Sequence, residues 1–87
     1  DHRDIAEKRI RYFYDYLHSW FQADALHRDG MFYEEVAERS GVPDDRVRRL
    51  FEEIDESLLR KSLTDGELQR LNSLIEDFTI HAKRKGL

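Results

Sequence analysis

Apolar residues recur along this chain at steps of three and four rather than two, and that spacing predicts helices throughout. The first stripe is Ala6, Ile10, Phe13, Leu17, Trp20 and Phe21. Asp4 followed by Glu7 fits an acidic capping box at its start. The pattern carries the helix to about Leu26, with a stop at His27-Arg28-Asp29-Gly30, where Gly30 is free to take a left-handed conformation. Trp20 is expected inside the core, so that Trp20→Ala would cost about 3–5 kcal/mol.

A short second helix is predicted over 31–40, with Phe32, Val36 and Ala37 facing inward and Gly41 ending it. Val42-Pro43 is a turn, because proline fixes its own φ and disfavours helix at the residue before it. A third helix follows from Asp44 to Leu58 or Leu59, on the stripe Val47, Leu50, Phe51 and Ile54. Asp44 and Asp45 favour its positive N-terminal dipole and stand four residues from Arg48 and Arg49. After a connector over 60–63, Thr64 and Glu67 make a capping box for a fourth helix. Its stripe is Leu68, Leu71, Leu74, Ile75, Phe78 and Ala82; Lys83, Arg84 and Lys85 complement its C-terminal dipole, and Gly86 stops it. The expectation is an all-α fold, one compact four-helix domain over 1–87 with a central helix-turn-helix-like pair.

Composition changes this picture in two ways. The chain of 87 residues has no cysteine, which removes disulfide frameworks, thiolate metal sites and thiol catalysis. Its net charge of −4 is unevenly placed: residues 31–59 hold four Lys/Arg against nine Asp/Glu, and residues 60–87 hold six against four. The acidity therefore falls on the central helix pair.

That pair decides how Ala37, Gly41, Val42, Val47 and Leu50 are read. A small residue, a turn glycine and apolar seals at this spacing suit two closely crossed helices, in DNA-binding proteins and in many interaction domains alike. A DNA-binding version would use Arg46, Arg48 and Arg49. Two carboxylates lead that helix, and Glu34, Glu35 and Glu38 crowd the one before it, so phosphate repulsion argues against nucleic acid.

Tyr12, Tyr14 and Tyr16 alternate along the first helix and spread around it, so that helix cannot present only charge to solvent. These three are the candidate partner-docking residues, for a protein partner or self-association, since tyrosine is enriched at interfaces. His2, His18, His27 and His81 form no HxxxH or HExxH pattern, and no serine lies in a nucleophile-elbow context. No enzyme activity, metal or cofactor is expected. His81 is expected at the inner edge of the last helix.

The runs DHRDIAEKRIRYFYDYL, FYEEVAERSGVPDDRVRRLFEEID and LTDGELQRLNSLIEDF resemble the C-terminal tail of a family of bacterial membrane proteins. That family carries a domain of unknown function related to the soluble part of ABC-type transport accessory proteins, and its genes often lie near MoxR-type AAA+ ATPases. The likeness rests on Asp1, His2, Ile5 to Lys8, Ile10, Tyr12, Phe13, Ser40-Gly41-Val42, Leu50-Phe51 and Ile75-Glu76. It implies a cytoplasmic helical domain tethered below a membrane, with no catalytic residues to carry over. The absence of an initiator Met at Asp1 suggests a trimmed or processed piece of a longer protein. No stretch of the chain itself is apolar enough to span a bilayer.

Overall fold

The computed structural model describes residues 1–83 and holds four helices: α1 (His2–Phe21), α2 (Phe32–Ser40), α3 (Asp44–Leu59) and α4 (Asp65–His81). The fold is the all-α four-helix domain that the periodicity predicts. Helix α3 packs against each of the other three, and α1 does the same.

The core follows the predicted stripes closely. Ala6, Ile10, Phe13, Leu17 and Phe21 are buried from α1, Phe32 and Val36 from α2, Val47, Leu50, Phe51 and Ile54 from α3, and Leu71, Ile75 and Phe78 from α4. Ala37, Leu68, Leu74 and Ala82 pack half-buried against them. Two rings organise this core. Phe51 meets Phe32 edge-on at 5.2 Å and Tyr33 at 5.6 Å, while Phe78 meets Phe13 edge-on at 5.4 Å. Such geometry sets the positive ring edge against the negative face.

Trp20 departs from expectation. It is 44 % exposed, set beside Tyr16 at 6.1 Å. The neighbouring Phe21 takes the buried place, because two adjacent helical residues lie about 100° apart and only one can sit at the stripe's centre.

Helix ends also differ from the sequence reading. The N-cap of α1 is Asp1, whose side chain accepts from the Asp4 amide at 2.9 Å, so the cap sits three residues earlier than Asp4–Glu7. Helix α1 stops at Phe21, because Gln22 adopts a left-handed conformation with φ 52°. Arg39 of α2 then donates to the Phe21 and Gln22 carbonyls at 2.9 and 3.2 Å, satisfying acceptors that a longer helix would have used. Gly30 therefore terminates nothing and has no positive φ. Gly41 ends α2 as predicted, left-handed at φ 78°.

The Thr64–Glu67 capping box forms in full at the start of α4. That helix ends at His81 with Ala82 as its C-cap, and Arg84, Lys85 and Gly86 lie outside the described residues. The Lys83 amide donates to the Ser40 carbonyl at 2.6 Å, tying the end of α4 to the end of α2.

Candidate functional site

The three tyrosines of α1 lie in three different settings. Tyr12 is 67 % exposed. Tyr14 turns toward α3 and stacks on Phe51 at 6.1 Å. Tyr16 turns toward α4, within 5.8 Å of Phe21 and 6.4 Å of Phe78. Burial pushes the phenols of Tyr14 and Tyr16 above their usual value, as removal from water disfavours phenolate. The structure does not bring the three together as one patch.

A groove does open beside Tyr14. It runs between α1, the loop after it and the end of α3, with a volume of about 410 Å³. Ile10, Tyr14, Leu26 and Leu58 give it apolar walls, and Glu7, Arg11 and Asp15 line its α1 rim. Leu26 is 76 % exposed. The loop nonetheless fixes its place: Ala23 and Ala25 are buried, and the Leu26 amide donates to Asp24 Oδ1 at 3.0 Å. Arg11 and Asp15, one turn apart, form no ion pair with any described residue, while Glu7 is paired with Arg3.

Arg28 from the same loop holds α3 in place. It binds the Asp55 carboxylate through both terminal nitrogens, at 2.8 and 3.2 Å, and lies 4.9 Å over the Phe51 ring. A planar guanidinium is suited to that forked geometry.

Two of the arginines of α3 have structural roles. Arg46 pairs with Asp77 of α4 at 2.7 Å. Arg48 pairs with Asp44 and lies 4.9 Å over Tyr33, and its guanidinium pKa rises, chiefly through the hydrogen bond to Asp44. Arg49 is exposed and makes no ion pair with a described residue. Arg46, Arg49, Asp77 and His81 surround a crevice of only about 110 Å³ between α3 and α4.

The main polar cluster has no forewarning in the sequence. Glu53 on α3 is buried, its side chain 8 % exposed, and it receives hydrogen bonds from Arg70 at 2.8 Å and Arg60 at 3.2 Å. Burial alone would raise its carboxyl, but the bonds from Arg70 and Arg60 prevail and hold it below the usual value. Arg60 also reaches Glu67 at 3.0 Å and Glu56 at 3.5 Å, so it joins the end of α3 to the start of α4. Arg3 of α1 closes the cluster by donating to the Leu58 carbonyl at 2.7 Å and the Arg60 carbonyl at 3.0 Å.

The histidines are scattered. His2 pairs with Asp65, His27 Nδ1 lies 2.8 Å from Asp24, and His81 Nδ1 lies 3.3 Å from Asp77. His81 is exposed, not at the inner edge of its helix. The hydrogen bond from His27 holds the Asp24 carboxyl below its usual value. Among the described residues, no three His, Asp or Glu side chains converge as a metal site, and no helix is long and apolar enough to cross a membrane.

Fold and site together define a small all-α domain with an apolar groove and charge clusters that join its helices. The chain belongs to the family described as the DUF4350 C-terminal helical domain, whose model matches residues 1–82. None of the curated proteins and none of the solved structures matches it.

Proposed function

We propose that this chain is a non-catalytic protein-interaction module, the cytoplasmic C-terminal domain of a membrane-anchored protein. The observation that carries the interaction reading is the groove beside Tyr14, with exposed Leu26 and the charges Arg11 and Asp15, which pair with no described residue, on one face. An apolar surface rimmed by polar groups is the composition of a docking site. The non-catalytic reading draws support from the polar clusters themselves. The carboxyls of Glu53 and Glu67 are held below their usual value and the guanidiniums of Arg48 and Arg60 above theirs, and each is engaged at a helix end or helix junction.

Tethering rests on the resemblance to tails of bacterial membrane proteins and on the family's description as a C-terminal domain. The same resemblance makes a MoxR-type AAA+ ATPase encoded nearby the first heterologous partner to try. The test is titration of the labelled 87-residue chain against itself and against that ATPase. Saturable binding to either supports the module; binding to neither overturns it. No observation favours nucleic acid, since Arg46 and Arg48 are already paired with carboxylates.

A further inference from the structure

We infer that the groove between α1 and the end of α3 is filled by a second copy of this chain, in a two-fold pair where Arg11 of each copy faces Asp15 of the other. This names the partner at the site proposed above and rests on that reading.

Arg11 and Asp15 are four residues apart on α1, so they lie on one face, one turn from each other. They carry opposite charges, and neither has an ion-pair partner among the described residues. When two such helices cross antiparallel about an axis level with residue 13, position 11 of one meets position 15 of the other, twice. A two-fold interface requires this kind of self-complementarity, in which a patch supplies both halves of its own contact. Glu7 does not disturb the pattern, because Arg3 already neutralises it.

The apolar part is self-complementary as well. Leu26 projects from a loop anchored by buried Ala23 and Ala25, so it is a fixed knob and not a floppy tip. It forms one wall of the groove, whose other apolar walls are Ile10, Tyr14 and Leu58. Leu26, the groove and both charges line one site, so a two-fold pair centred on the charges sets the apolar part of one copy against the same part of the other. A partner of different sequence would need to match all of these separately.

Sedimentation equilibrium of the 87-residue chain tests the pairing. The average mass should rise from the monomer value of 10.5 kDa toward twice that with concentration. Leu26→Glu should abolish the rise. Arg11→Asp alone and Asp15→Arg alone should each weaken pairing about tenfold or more, since like charges then face each other. Mixing those two variants should restore a dimer, because the mixed pair sets a carboxylate against a guanidinium in both contacts. The double variant, with the two charges exchanged, should pair with itself. All the altered side chains are exposed, and unchanged helical circular dichroism and melting confirm the fold. A chain that stays monomeric at every concentration overturns the inference, as does a dimer that all variants leave intact. If the chain stays monomeric yet binds the ATPase, the second-copy inference fails while the interaction reading stands.

Discussion

Glu53 concentrates the physics of this domain in one side chain. A buried carboxylate is costly unless paired, and this one is paired twice, by Arg60 and Arg70. Its carboxyl is held below the ordinary 4.5, so the unfolded chain takes up the proton first as pH falls. The stabilisation is complete above the unfolded value and is lost as pH drops through the folded one. Glu53→Gln should therefore cost about 1–2 kcal/mol at pH 7 and make the melting temperature fall less steeply below about pH 4.5. Melts of both proteins from about pH 3 to about pH 7 check this, a range that spans the ordinary carboxylate pKa. An equal acid drop in both would contradict it. Trp20 is a second residue-scale case. At 44 % exposed, its replacement by Ala should cost about 1 kcal/mol, against about 3–5 for Phe51→Ala in the core. Urea unfolding separates the two.

At the scale of elements, two glycines that look alike in sequence part company. Gly41 is left-handed at φ 78°, so Gly41→Ala should destabilise by about 1–2 kcal/mol. Gly30 has no such φ and has open space where a Cβ would sit, so Gly30→Ala should be neutral or slightly stabilising. Thermal melts of the two variants give the comparison. The same contrast explains what was legible in the sequence. Stripes and the Thr64–Glu67 box depend on residues within a turn or two, and apart from Trp20 both appear in the structure as read. The end of α1 is fixed by left-handed Gln22 together with Arg39, eighteen residues beyond the last carbonyl of the helix, and a non-glycine left-handed cap held from a distance is not announced by local pattern. The groove was half legible: Tyr14 stood out, but Leu26 and Leu58 meet it only after folding. Glu53 was illegible for the same reason, since Arg60 and Arg70 are seven and seventeen residues away.

Over the whole molecule, the acidic middle third is stitched to its surroundings by arginines. Arg28 reaches Asp55 from the loop before α2, Arg60 and Arg70 reach Glu53 from beyond α3, and Arg46 reaches out to Asp77. The charge asymmetry in the sequence thus becomes adhesion between segments. It also engages Arg46 and Arg48, two of the three arginines a phosphate backbone would need. A labelled duplex titrated with the chain at low salt should show no mobility shift. A shift that weakened with salt and vanished in Arg46→Ala and Arg48→Ala would reverse that conclusion.

The bonds from Arg39 to the end of α1 add to the local closure at Gln22, so this helix shares its terminus with a neighbour. Excised as a peptide of residues 1–31 and stabilised in an alcohol co-solvent, α1 would keep only the local closure at Gln22 and lose the bonds from Arg39, and carbon chemical shifts should report helix running past Phe21 toward Leu26. A peptide spanning residues 62–83 keeps Thr64 and Glu67 together, and its helix should start where it starts in the folded chain. Helix length in this domain is therefore partly a property of the neighbours, and cutting the chain would lengthen one helix while leaving another's first turn untouched.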